Sequence, residues 1–307
     1  MKALFIINPV AGRGAALKVW RRIEHLVTGD RQIDAVIPDS AAGTRKAAAE
    51  ARKAGYERAI VVGGDGTLLA VADELAHGET ALGVIPAGTG NDFCRNSDIV
   101  RQAEAALRVA LGPHTRRIDL GQAAGGRHFL NAAGIGFDAE VAAAASSFPT
   151  GLGGNLPYLL GALQTLFRYK PIHVEITVDD QKYTGPITMV AVANGRYYGG
   201  GMQIAPLASR SDGLLDVYVA EGLSRGQVLG LLPRVYTGGH IHNPKVHLLR
   251  GQQVRVQVSE PVRAHIDGEP LFYDALAFHV HPRALAVALP EPDPVEAERP
   301  ASAAKLG

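Results

Sequence analysis

The chain has 307 residues, 47% of them apolar and 20% charged, and a formal net charge of +1. That length suits two domains, each with a proper core, and the near-neutral balance leaves no basic stripe for nucleic acid. Cys94 is the single cysteine, which excludes an internal disulfide and suits a reducing compartment.

The first 120 residues alternate between two periodicities. Short apolar, β-branched runs predict strands near 3–8, 32–37, 59–62, 81–86 and 116–120. Helical segments are expected near 15–27, 43–54, 67–76 and 101–111. This alternation predicts an α/β domain with a largely parallel sheet covered on both faces.

Three of these strands run into glycine loops. The first meets Asn8-Pro9-Val10-Ala11-Gly12-Arg13-Gly14 ahead of a helix, an anion-binding order of elements. Ala59-Ile60-Val61-Val62 meets Gly63-Gly64-Asp65-Gly66-Thr67, the most informative stretch of the chain. Glycine lets phosphate approach the backbone, and successive N–H groups make an anion-binding concavity. A carboxylate would repel phosphate, so Asp65 points to a magnesium ion or a hydroxyl between it and a nucleotide. The bland alternative is an N-cap for the following helix. The third loop, Gly88-Thr89-Gly90-Asn91-Asp92, follows Ala81–Ile85. Loops at the carboxyl ends of parallel strands converge on one crevice, where open α/β sheets bind ligands.

From about Arg127 the pattern becomes β-rich. Runs at 128–131, 173–178, 187–192, 214–219, 253–258 and 277–280, divided by glycine and proline, predict an antiparallel sandwich. The boundary is expected in Gly121–Gly126, giving domains at 1–124 and 125–283. The tail 291–307, rich in proline and small residues, is expected to be disordered. No apolar run approaches the roughly 20 residues that span a bilayer, and Met1-Lys2 leads directly into a strand, so a cytoplasmic location is expected.

Other residues carry open readings. Asp212-Gly213 and Asp267-Gly268 read as ordinary turns, the latter as a type I′ hairpin. His240-Ile241-His242 and His279-Val280-His281 have same-face spacing on a strand, yet no cysteine or carboxylate set nearby makes a zinc site. Arg13 and Lys18 are phosphate contacts or solvated cations. The apolar helical stretch Leu156–Lys170 packs in the core, lines an acyl pocket or lies on a membrane surface.

Together the three loops, Asn131–Asp138, Asn194-Gly195-Arg196, Gly199–Gly201, Ala205–Ala208, Ser211–Asp216, Gly239-His240 with Pro244–Val246, and Asp267-Gly268-Glu269-Pro270 resemble the diacylglycerol kinase catalytic family. The resemblance is closest to its soluble bacterial lipid kinases, relatives of sphingosine and ceramide kinases. It implies an ATP-dependent, Mg²⁺-requiring kinase of phospholipid metabolism, peripherally bound at the membrane, with diacylglycerol as the leading acceptor. It allows a homodimer. It implies that Asp212, with main-chain oxygens near Ser209 and Leu214, holds a magnesium ion. It makes Glu269 the general base, opposite the second loop across a cleft, with Asp65 catalytic at the nucleotide. The last strand, 284–290, is expected to return to the first domain. One departure concerns the second strand, where Pro38 stands at a family threonine and Ser40 or Thr44 is the candidate substitute. The alternatives are an NAD kinase-type reaction, whose Asn-Glu pair is missing from Asn131–Asp138, and a non-catalytic lipid sensor, opposed by the presence of Asp65, Asp212 and Glu269.

Overall fold

The computed structural model describes residues 1–27, 32–146 and 156–291. From residue 292 on, the expected disordered tail lies outside the described residues. The chain divides into two compact units: Met1–Asp119 together with the chain from Pro282 on, and Leu120–His281.

In the first unit β1 (Lys2–Ile7), β2 (Gln32–Val36), β3 (Arg58–Gly63) and β4 (Ala81–Pro86) alternate with α1 (Ala15–Ile23), α2 (Ala41–Lys53) and α3 (Asp65–Leu75). β1 pairs with β2 and β3, and β3 with β4, all parallel. The apolar runs are buried throughout, with Phe5, Ile6, Ile7, Ile60, Val61, Val62, Leu82 and Ile85 all at 0% exposure. That is the pattern of strands covered on both faces. Gly83 permits the tight fit between β3 and α5 (Ala103–Ala110), since a Cβ there would lie 2.8 Å from Ile60 Cγ1 and 3.2 Å from Ala110 Cβ. Ser40 starts α2 earlier than its apolar pattern predicts, because its hydroxyl accepts the Gly43 N–H at 3.1 Å. The short α4 (Asp92–Asn96) follows Asn91 in the left-handed region and is too short to show a period.

The chain leaves this unit within β5 (Thr115–Ala123). The division thus falls ahead of the expected Gly121–Gly126. Gly125 and Gly126, at φ 88° and 86°, form the tight turn to β6 (His128–Phe129) rather than a linker, and Ala123 N donates to Arg127 O at 2.8 Å across it.

The second unit is built from antiparallel pairs. Its remaining elements are β7 (Ala132–Gly136), α6 (Phe137–Ser146), α7 (Leu156–Leu166), β8 (Ile172–Val178), β9 (Gln181–Ala193), β10 (Leu215–Glu221), α8 (Arg225–Leu231), β11 (Val246–Gly251), β12 (Gln253–Ile266) and β13 (Glu269–Ala288). The long strands β9 and β12 each pair with β8 at one end and β7 at the other. Their inward residues join one core that includes Ile135, Val174, Ile176, Val190, Val217, Val254, Val256, Ile266 and Phe278. Of the expected run 128–131 only His128–Phe129 is strand, with β7 starting afresh at Ala132, and β11, α6 and α8 were not legible as separate elements.

The runs at 271–273, 277–280 and 285–289 are one strand, β13, rather than a hairpin arm followed by a separate last strand. The strand passes Pro282-Arg283 without a break. Arg283 takes φ 52°, and its N–H is accepted at 2.7 Å by the fully buried Asp119. Beyond it Val287 pairs in parallel with Leu82 of β4.

Candidate nucleotide and acceptor sites

The three glycine loops of the first unit are joined to one another backbone to backbone. Asn8 N donates to Val62 O at 3.1 Å, and Asn8 Nδ2 donates to Thr67 Oγ1 at 2.8 Å, so the first loop is tied to the second. Pro9 occupies the turn closed by Ala11 N donating to Asn8 O at 3.2 Å. Gly12, Arg13 and Gly14 follow at φ 56°, 59° and 83°, and α1 starts immediately after them. A Cβ on Gly12 would stand 2.1 Å from Ala87 O, so only glycine lets the first loop meet the third. A Cβ on Gly88 would stand 2.5 Å from Gly64 Cα, which joins the third loop to the second in the same way.

Within the third loop the buried Asn91 side chain clamps Gly88, accepting its N–H at 3.1 Å and donating to its carbonyl at 2.8 Å. Asp92 Oδ1 accepts from Arg95 Nη1 at 2.9 Å, and the same Arg95 nitrogen reaches Gly90 O at 2.8 Å. Thr89 and Arg13 are exposed.

Asp65 is the first residue of α3, whose N-cap, Gly64, gives no side-chain cap. Its Oδ1 accepts the Phe93 N–H at 3.1 Å, so it caps α4 and not the helix it begins. The N-terminus of α3 is left without a side-chain acceptor, Gly66 is exposed, and a Cβ there would meet nothing within 4 Å. Unsatisfied N–H groups with the positive end of the helix dipole make an anion seat. Asp65 Oδ2 lies beside Gly90, 3.0 Å from where a Cβ would be. A half-buried carboxylate oxygen next to that seat is the hard donor that a divalent cation on a nucleotide requires.

At the departure on the second strand, Pro38 is buried. Both candidate substitutes are engaged locally: Ser40 caps α2, and Thr44 Oγ1 donates to Ser40 O at 3.1 Å.

In the second unit, Asp212 does not fit the expected metal role. Its Oδ1 accepts the Leu214 N–H at 3.1 Å and its Oδ2 accepts from Arg250 Nη2 at 2.9 Å. Arg250 Nε also pairs with Asp216, which is 2% exposed. A guanidinium already supplies the counter-charge that a magnesium ion would bring to this carboxylate. Ser209 is part of the same loop, its hydroxyl accepting from Ser211 N at 3.4 Å.

Burial pushes the Asp216 carboxyl up to about 6, with Arg250 opposing it. Removing one partner of such a pair typically costs about 3–5 kcal/mol, because the other is left buried and uncompensated. Arg250→Met is expected to lower the unfolding free energy by about that much, and added Mg²⁺ to restore none of it. The folded-state pKa of Asp216 lies above its unfolded value, so folded Asp216 keeps its proton to higher pH and the deficit should shrink as pH falls below 6. Chemical denaturation at pH 5 and pH 7.5, with and without Mg²⁺, checks both statements.

Asp267 and Gly268 form the two-residue turn between β12 and β13, both at positive φ (45° and 86°), as a type I′ hairpin requires. Asp267 is also an anchor. Its carboxylate accepts the N–H groups of Leu130 at 2.7 Å and of Asn131 and Ala132 at 3.0 Å. Glu269 follows at the start of β13, half exposed and ion-paired with Arg127. Beneath the turn, Gly268 N donates to His265 Nδ1 at 3.3 Å, which leaves His265 Nε2 to donate to Asp138 Oδ2 at 3.3 Å. Tyr198 donates to the same oxygen at 3.1 Å. Arg127, Arg250 and the Asp138–His265–Tyr198 group are the partners that sequence reading missed.

His240 and His242 lie on a 3₁₀ turn, Gly239–His242, and not on a strand. His240 is buried with Nε2 2.9 Å from Ile204 O, and burial lowers its pKa. Ala162 and Leu166 of α7 pack in a core with Phe137, Val141 and Val228, while Leu163 and Phe167 are exposed. No helix among the described residues is long and apolar enough to cross a membrane.

Residues 2–123 match the diacylglycerol kinase catalytic domain, and residues 131–289 match the YegS C-terminal NAD kinase beta sandwich-like domain. A Pseudomonas aeruginosa protein named probable lipid kinase YegS-like is 36% identical over 261 residues, covering 83% of this chain and 84% of the relative. A diacylglycerol kinase of Mycobacterium tuberculosis is 31% identical over 282 residues, covering 87% and 88%. The crystal structure of a diacylglycerol kinase from Bacillus anthracis superposes with a TM-score of 0.71 at 21% identity, covering 96% of this chain and 97% of the other, a likeness of fold. With both units matched and relatives above 30% identical over more than four fifths of its length, this chain belongs to the lipid kinase family that joins a diacylglycerol kinase catalytic domain to a YegS-type C-terminal domain.

Proposed function

We propose that the chain transfers the γ-phosphoryl group of ATP to the free hydroxyl of diacylglycerol, giving phosphatidic acid. The observation that carries the reading is the wiring of the three glycine loops around the open N-terminus of α3 and Asp65. The name of the M. tuberculosis relative supports diacylglycerol as the acceptor.

In this reading the N–H groups at Gly64–Gly66 hold the terminal phosphates, with Asn8 and Thr67 fixing the first loop against them. Asp65 Oδ2 orients Mg²⁺ carried in with ATP, which neutralises charge on the transferring group. Glu269 takes the proton from the acceptor hydroxyl as its oxygen bonds to the γ-phosphorus. The bond from that phosphorus to the β–γ bridging oxygen breaks, and ADP leaves. The chain works at a membrane surface, where its acceptor resides, and the exposed Leu163 and Phe167 suit contact with lipid.

The test is labelled phosphate transfer from ATP over a panel of diacylglycerol, ceramide, sphingosine, a polyprenol and NAD, each with Mg²⁺ or EDTA. Diacylglycerol is expected to give the highest kcat/KM, with activity lost in EDTA. A higher kcat/KM for NAD overturns the lipid kinase reading, and a higher value for another lipid replaces the acceptor alone.

A further inference from the structure

The His279-Val280-His281 spacing looked bare in sequence because its companion comes from a distant strand. Phe278 and Val280 point into the second unit's core, so His279 and His281 share the opposite face of β13. β5 pairs with both β13 and β6, and its Gln122 stands across from His128. The fold thus lines up His128, Gln122 and His281 across three neighbouring strands, with His279 one pleat along.

The hydrogen bonds fix how these rings face. Gln122 Nε2 donates to Gly126 O at 3.0 Å and to His128 Nε2 at 3.1 Å, so that ring nitrogen carries a lone pair. Gln122 Oε1 is 3.1 Å from His281 Nε2 and accepts its proton, and His281 Nε2 is in turn 2.9 Å from His279 Nε2. His128 and His281 bring their ligating atoms within 4.8 Å of each other. His281 Nε2 therefore stands within reach of both His279 and His128, and all three rings are half-buried.

We propose that His128, His279 and His281 form a binding site for a borderline transition-metal ion of the Zn²⁺ class, distinct from the magnesium of the kinase reaction. Imidazole suits such ions, whereas Mg²⁺ prefers oxygen. At Zn–N distances of about 2.0–2.1 Å, tetrahedral ligand nitrogens lie roughly 3.3 Å apart. His279 and His281 need to open only slightly from 2.9 Å. His128 has to close in by rotation of its side chain. His281 shifts its proton to Nδ1 when it ligates, and Gln122, freed from accepting it, stays bonded to Gly126 O. A fourth position is left for water.

The experiment is isothermal titration of EDTA-stripped, buffer-exchanged protein with ZnCl₂, together with Co²⁺ absorption spectroscopy. The expected results are one Zn²⁺ per chain, an intense visible Co²⁺ band of four-coordinate nitrogen ligation, and at least tenfold weaker binding in the His279→Gln/His281→Gln double variant. His242→Gln, on an exposed residue of the other histidine pair, should bind like the parent. Thermal unfolding in EDTA shows whether the double variant is folded, and His128→Gln gives an independent second loss. No binding by the parent protein, or equal binding by folded double and His128 variants, overturns the site.

Discussion

Asp65→Ala is expected to lower turnover by roughly 10²- to 10³-fold, the size of effect seen when one preorganised electrostatic group at a transfer site is removed. The fold should survive. Asp65 is half-buried, and its carboxylate accepts one backbone hydrogen bond, from Phe93, at 3.1 Å. Loss of such a cap typically costs about 0.5–2 kcal/mol, which a two-unit chain of this size can bear. Asp65→Asn separates the two roles. The amide oxygen can still accept from Phe93, so α4 stays capped, but the charge is gone. If the carboxylate orients the metal–nucleotide complex, the asparagine variant is as inactive as the alanine one while its Tm stays near that of the parent. Steady-state kinetics with saturating ATP and Mg²⁺, alongside thermal unfolding, reads both. Near-normal turnover in Asp65→Asn would reduce Asp65 to a helix cap and remove it from the chemistry.

How much of this was legible in the sequence differs between the two units for a physical reason. In the first, the buried runs around Phe5, Ile60 and Leu82 are continuous and β-branched, and each ends in glycines, so strand, loop and helix start all show locally. The convergence of the loops could be inferred from their place at strand ends. What could not be read was the mode of contact, Gly12 against Ala87 O and Gly88 against Gly64, since a glycine's role depends on what its missing Cβ would hit. In the second unit the informative contacts are remote along the chain. Glu269 pairs with Arg127, 142 residues away, and Asp212 with Arg250, 38 residues away. No local period encodes either. Asp212 shows the consequence: read alone, Asp212-Gly213 is an ordinary turn, and the guanidinium that pairs with its carboxylate in the fold lies far along the chain. Similarly, 277–280 and 284–290 read as separate strands, yet Arg283 in the left-handed region and the Asp119 carboxylate carry β13 through from one to the other.

Glu269→Gln is expected to lower kcat by about 10² to 10⁴, the usual contribution of a positioned general base, with KM for ATP nearly unchanged. The glutamine keeps the shape and loses the basicity. Its effect on folding should be small, because the Glu269–Arg127 pair is exposed on both sides, at 53% and 38%, and such pairs contribute about 0–1 kcal/mol. Asp267 provides the contrast. Its carboxylate holds three backbone N–H groups and so fixes the turn from which Glu269 projects. Asp267→Ala should therefore lower both Tm and kcat, as a positioning residue does, whereas Glu269→Gln should lower kcat alone. If instead Glu269→Gln weakens only ATP binding and leaves turnover at saturation intact, Glu269 serves the nucleotide or its pair with Arg127, and another group takes the acceptor's proton.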